Sequence, residues 1–128
     1  MNKIIIFTAC ILGMLSVIFG AYAAHGLEKI ISGDSVETFK TGVQYQMYHA
    51  LLLVLLGVID KVSLKTKKLV FVLVIIGLIF FSGSIYGLST NELSSFDFKS
   101  IGFITPIGGL LLISSWLILG VGILRNKK

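Results

Sequence analysis

Ser35 to Ile59 reads SVETFKTGVQYQMYHALLLVLLGVI, and this stretch decides the fold. Its first half is polar and aromatic, and its second half is nearly all Leu and Val. A helix over it would reach roughly 37 Å, which exceeds the ~30 Å hydrocarbon core of a bilayer. The stretch reads as one membrane helix whose outer end carries Gln44, Tyr45, Gln46, Tyr48 and His49 from the interface into the lipid zone. Polar side chains at that depth must face protein or water, so the other helices should gather around them.

Working outward, the composition agrees. The 128 residues suit one domain, 55% of them are hydrophobic, only 13% are charged, and the mean hydropathy is +0.98. A soluble fold of this size could not hide so much apolar surface, which places the chain in the membrane class. Four apolar runs appear, at about 4–24, 43–59, 69–88 and 105–124, each near the ~20 residues that a spanning helix needs. The second is short alone and is extended by the turns from Ser35 onward. The expected architecture is all-α, a single four-helix transmembrane domain over 1–128.

The first run also has the form of a secretory signal peptide, with Lys3 ahead of it and Ala21-Tyr22-Ala23 as a small-x-small cleavage motif. It is longer than an ordinary signal core, however, and Gly13, Gly20 and Ala24 give it a small face for close packing. It is read as a retained span. Cys10 falls mid-span and reads as an inert buried thiol, placed too early for a lipoprotein signal.

With four spans, the N-terminus, the 60–68 loop and the C-terminal tail share one side. That side holds Lys3, Lys61, Lys65, Lys67, Lys68, Arg125, Lys127 and Lys128 against the single acid Asp60. The opposite side holds Lys29, Lys40 and Lys99 against Glu28, Asp34, Glu37, Glu92 and Asp97. Eight basic residues against three predict both termini in the cytoplasm of a multi-pass protein of the cell membrane. The net charge of +5 is gathered at this rim, which argues against nucleic acid as a partner and for membrane lipids.

Local cues refine the elements. Ser32-Gly33-Asp34 reads as a turn, with the second helix starting at Ser35. Lys61 to Lys68 reads as a short basic hairpin anchored at the inner leaflet. In the third span Gly83 and Gly87 form a small-xxx-small pair, and Ser82 and Tyr86 share a face. Residues 89–104 form the outer loop, where Phe96 and Phe98 rest at the interface. Thr105 reads as an N-cap with Pro106 at the first helical position. Trp116, mid-span, should pack between helices.

The unusual polar residues collect in the outer half: Tyr22, His25, Gln44, Tyr45, Tyr48, His49, Ser82, Ser84, Tyr86 and Thr105. On the second helix Gln44 pairs with Tyr48, and Tyr45 with His49, each at i, i+4. One pair should face the first helix and the other the third or fourth. Two readings compete. The cluster forms a hydrogen-bond clamp that holds the bundle together, or it forms a pocket for a small amphiphile, a lipid head group or quinone, with His49 as proton partner. The clamp is favoured because these side chains can satisfy one another. A haem bridged by His25 and His49 is a third idea, but two histidines make a poor haem signature. There is no GxSxG, no phosphate-binding loop, no metal-ligand spacing and no pair of intramembrane carboxylates. No cofactor, metal or enzymatic activity is expected.

Four segments carry a resemblance. Gly20-Ala21-Tyr22-Ala23-Ala24-His25-Gly26-Leu27 is followed by Thr41-Gly42-Val43-Gln44-Tyr45-Gln46-Met47-Tyr48-His49-Ala50. Phe81-Ser82-Gly83-Ser84-Ile85-Tyr86 and Ile104-Thr105-Pro106-Ile107-Gly108-Gly109 come later. In order and spacing these resemble the YgdD/YwdK-type family of small integral membrane proteins over nearly the whole chain. The resemblance implies a four-helix membrane protein with relatives in bacteria and in animal mitochondria. The family is a domain of unknown function, so no activity, cofactor or catalytic residue is carried over. The expected role is that of a non-enzymatic accessory or structural membrane component. It would be partnered by lipids and by other membrane proteins or further copies of itself. The alternative is an amphiphile binder at the outer polar pocket.

Overall fold

A computed structural model describes residues 2–91 and 102–126, and every described element is helical. Helix α1 covers Asn2–His25 and passes through a 3₁₀ turn, Leu27–Lys29, to α2 at Gly33–Val58. Helix α3, Leu64–Leu78, continues through a π-helical segment, Ile79–Gly83, into α4 at Ser84–Ser89, and α5 spans Ile104–Arg125. Phe96, Phe98, Glu92, Asp97, Lys99, Lys127 and Lys128, which figured in the loop and charge readings, lie outside the described residues.

Helix starts differ from the sequence reading, and serine caps explain two of them. The Ser32 hydroxyl, on extended backbone, accepts from the Ser35 N–H at 3.2 Å, so α2 begins at Gly33 rather than Ser35. The Ser63 hydroxyl does the same for Thr66, so α3 begins at Leu64, five residues before the apolar run. The basic hairpin is thus shorter than expected, and Lys65, Lys67 and Lys68 sit on helix. Thr105 is not an N-cap. Helix α5 starts at Ile104 after Phe103 without a side-chain cap, because the Thr105 hydroxyl is engaged by Ser84 instead.

Helix α1 packs along α2, α5 packs along α3 and the π segment, and α2 joins the two pairs. Ile5, Ala9, Leu53, Leu56, Val70, Val74, Leu112 and Leu119 bring all four rods into one apolar core. A second cluster of Ala23, Leu27, Ile31, Val36 and Phe39 seals the end that holds the 3₁₀ turn. Close approach is made by Gly108, where a Cβ would come within 2.7 Å of the Phe80 carbonyl carbon. Gly77 lies opposite, with the Gly108 carbonyl 3.3 Å from where its Cβ would be. Interfaces between membrane helices favour such small residues because backbones can then touch. The expected packing glycine Gly83 faces open space instead. Cys10 is exposed rather than buried, since it follows the inward-facing Ala9 by about 100° of helix turn.

The outer surface is apolar, with Phe7, Val17, Leu51, Ile113, Leu117 and Leu124 all exposed. Three helical stretches, Asn2–Lys29, Leu64–Ser89 and Ile104–Arg125, are long and apolar enough to cross a membrane. Helix α2 is as long, but Gln44, Gln46 and His49 dilute its hydropathy.

Candidate functional site

Helix α2 organises the polar residues through one buried face. Phe39, Gly42, Gln46, His49, Leu53 and Leu56 recur at alternating spacings of three and four, and all are buried. This is the seam along which a helix packs on its neighbours. Two of its positions carry amide and imidazole groups instead of alkyl chains.

Gln46, 5% exposed, links three helices. Its Nε2 donates to the Leu12 carbonyl of α1 at 2.8 Å, and its Oε1 accepts from the Tyr86 hydroxyl of α4. The Leu12 carbonyl also accepts from the Ser16 hydroxyl at 2.9 Å. One helical turn away, the Ser82 hydroxyl of the π segment donates to the Gly42 carbonyl at 2.8 Å. Gly42 has no side chain because the Tyr86 ring lies over it: a Cβ there would sit 2.8 Å from Tyr86 Cε1. Phe19 and Phe39 complete the surroundings of that ring, with centroids 5.4 and 4.9 Å from it.

His49, 3% exposed, follows three residues on along the same face and reaches α5 instead. Its Nδ1 lies 2.7 Å from the Tyr45 carbonyl, which can only accept, so Nδ1 carries the proton. Nε2 is then an acceptor, and the Trp116 indole N–H of α5 donates to it at 3.1 Å. The imidazole is neutral in this arrangement, with both nitrogens engaged. A third link joins the Ser84 hydroxyl to that of Thr105, while Ser84 also donates to the Phe81 carbonyl at 3.0 Å.

The ten residues singled out in the sequence therefore divide. His49, Ser82, Ser84, Tyr86 and Thr105 are drawn into interhelical hydrogen bonds, and Tyr45 contributes its carbonyl. Tyr22, His25, Gln44 and Tyr48 are exposed on the outside of the bundle. The Gln44–Tyr48 pair thus faces neither α1 nor α5. The contact with α1 is made by Gln46, which lies on the opposite side of α2 from Gln44. Trp116 is half exposed, yet its indole N–H is what ties α5 to α2. Gln46 and Trp116, noted in the sequence but left out of the ten, complete the network. Gln46 was detectable as the residue continuing the Leu53 and Leu56 seam at heptad spacing.

Beside His49 lies a groove of about 330 Å³, lined by Tyr45, His49, Phe81, Gly109, Leu112, Ile113 and Trp116. Its walls are mainly apolar, and among the described residues no carboxylate borders it. The imidazole nitrogen that would hold a haem iron is already an acceptor for Trp116, and His25 is exposed at the end of α1. Among the described residues no group of three or more His, Cys, Asp and Glu is placed to hold a metal ion. No buried side-chain nitrogen or oxygen among them lacks a partner.

At the far end of the bundle, Lys67 is 5% exposed. Its ammonium donates to the Ile59 carbonyl at 2.7 Å and to Asn2 Oδ1 at 3.1 Å, tying the start of α1 to the α2–α3 hairpin.

A family described as a protein of unknown function (DUF423) matches residues 19–109, which contain Gln46, His49, Ser82, Tyr86 and Thr105. The UPF0382 membrane protein YwdK of Bacillus subtilis is 38% identical over 125 residues, covering 96% of this chain and 98% of its own. A UPF0382 membrane protein of Staphylococcus haemolyticus is 39% identical over 117 residues, 91% of this chain and 92% of its own. The UPF0382 inner membrane protein YgdD of Escherichia coli is 28% identical over 130 residues, 99% of this chain and 94% of its own. No solved structure matches the chain.

Proposed function

The chain belongs to the DUF423 family of membrane proteins, and from that premise we propose a four-span, single-domain component of the cytoplasmic membrane with a structural or accessory role and no catalysis. Helix α2 is the fourth span in this reading. Its 26 residues make ~39 Å of helix, and its buried Gln46 and His49 turn inward to partners on α1, α4 and α5. The excess of Lys and Arg on the side of the α2–α3 hairpin supports both termini lying inside.

The observation that carries the structural role is the double engagement of Gln46. Both ends of its amide are taken up within the protein, on two different helices, and the same holds for the two nitrogens of His49. A polar side chain that bonds across to a neighbouring helix in this way is a fastener: Gln46 ties α2 to α1 and α4, and His49, oriented by the Tyr45 carbonyl of its own helix, ties α2 to α5. Melting in mild detergent tests this: Gln46→Leu and His49→Ala should each lower the midpoint. Melting at the wild-type temperature in both variants would end the proposal.

The second reading, an amphiphile binder, is favoured by the groove beside His49. A quinone or lipid head group there would lie against Tyr45, Phe81 and Trp116. Filling the groove with Gly109→Leu would expel such a ligand, seen as loss of a bound mass from gently solubilised protein. Protein that carries no such mass before the change would refute it.

A further inference from the structure

At the hairpin end, between the start of α3 and the last turns of α5, lies a second groove of about 520 Å³. It is bordered by Ser63 and Thr66 on one side and by Leu117, Val121, Gly122 and Arg125 on the other. The site is remote from the polar cluster, and its reading rests only on α5 being a span. Helix α5 has 22 residues, or ~33 Å. With its length set against a ~30 Å hydrocarbon core, Arg125 stands at the level of the lipid phosphates.

Three features define the occupant. The wall is apolar and opens onto the surface that faces lipid, since Leu117 and Val121 are exposed. Arg125 stands at the mouth, and a guanidinium takes a phosphate through two parallel hydrogen bonds. The Thr66 hydroxyl accepts from Ser63 at 3.0 Å and keeps its own proton to donate. The hairpin that carries Ser63 and Thr66 is predominantly basic. Lys61, Lys65 and Lys68 are exposed, Asp60 is the only acid of that hairpin, and the one ion pair among the described residues, Lys40–Glu37, lies on the first turns of α2. We propose that this groove binds one anionic phospholipid, its phosphate on Arg125 and Thr66 and an acyl chain along Leu117, Val121 and Gly122. A free phosphate would leave the apolar wall bare, and a zwitterionic lipid would leave the positive field unanswered.

The test is native mass spectrometry of delipidated protein titrated with phosphatidylglycerol or with phosphatidylcholine of the same chains. Wild type should take up one phosphatidylglycerol at least about fivefold more readily, which is what about 1 kcal/mol per basic residue near a membrane surface amounts to. Arg125→Gln should cut that preference several-fold, whereas Val121→Phe, which fills the groove, should weaken uptake of both lipids. Both side chains are exposed, and the lipid-free melting of each variant checks that it folds. Equal uptake of the two lipids by wild type, or an undiminished preference in Arg125→Gln, would overturn the proposal. So would competition by glycerol phosphate as strong as by the intact lipid, which would mark an ion site. A dimer mass that Val121→Phe abolishes would give the groove to a second copy and overturn it too.

Discussion

Replacing Gln46 by Leu keeps the volume of the side chain while deleting both of its hydrogen bonds, to the Leu12 carbonyl and from the Tyr86 hydroxyl. The two losses are unequal. The Leu12 carbonyl retains the Ser16 hydroxyl, whereas the Tyr86 hydroxyl is left without a partner beneath α2. Interhelical hydrogen bonds in membranes average about 0.6 kcal/mol and reach about 1.7. Stranding a buried hydroxyl adds about 1–3 kcal/mol. Gln46→Leu should therefore cost roughly 2–4 kcal/mol, a fall in melting midpoint on the order of 10 °C for a chain of this size. The assay is thermal unfolding in detergent followed by circular dichroism, run as a double-mutant cycle with Tyr86→Phe. Because the two side chains share one bond, and Tyr86→Phe also removes the stranded hydroxyl, the double variant should lose less than the sum, by about 0.6–1.7 kcal/mol for the bond plus about 1–3 kcal/mol for the stranding. Gln44→Leu is the control, since Gln44 is exposed and its replacement should move stability by no more than about 0.5 kcal/mol. Additivity of Gln46→Leu with Tyr86→Phe, or a Gln44→Leu effect as large as that of Gln46→Leu, would refute the reasoning.

Other consequences follow from the same contacts. Gly108→Ala drives a methyl group into the backbone at Phe80 and Phe81 and should cost about 1–3 kcal/mol; Gly83→Ala, which meets open space, should be nearly silent in the same melt. Lys67→Met releases Asn2 and the Ile59 carbonyl, so amide hydrogen exchange should quicken at residues 2–6 and 59–63 while residues 42–49 keep their protection. Equal exchange at both places would remove Lys67 from that role. If both termini are cytoplasmic, a phosphatase reporter that works only outside should be active when fused after Asn91 and silent when fused after Lys128. The reverse pattern would invert the topology.

Much of the fold was legible because hydropathy reports length and apolar runs, and each of the four runs falls largely on helix, the third crossing α3, the π segment and α4. Helix ends were less so. Ser32 and Ser63 extend α2 and α3 through polar residues that a hydropathy reading assigns to loops. The π segment carries no proline to announce it, and Phe80-Phe81-Ser82-Gly83 passes for ordinary helix. In the site, the choice between Gln44 and Gln46 could not come from polarity. Two positions apart on a helix, they point about 200° apart, and it is the heptad register with Leu53, confirmed by the contact with α1, that puts Gln46 inside. His49 was visible as a polar residue in an apolar stretch, but its partner Trp116 lies 67 positions on and is half exposed. Pairings made by tertiary structure alone leave no local trace.

On this reading Gln46 and His49 of α2 fasten helices rather than hold a ligand. Native mass spectrometry of gently solubilised wild type beside His49→Ala, with melting of both, tests it most directly. The account predicts the same bound masses in the two samples and a lower midpoint in His49→Ala, whose loss frees the Trp116 indole. A mass carried by wild type and missing from a His49→Ala protein that melts normally would contradict it.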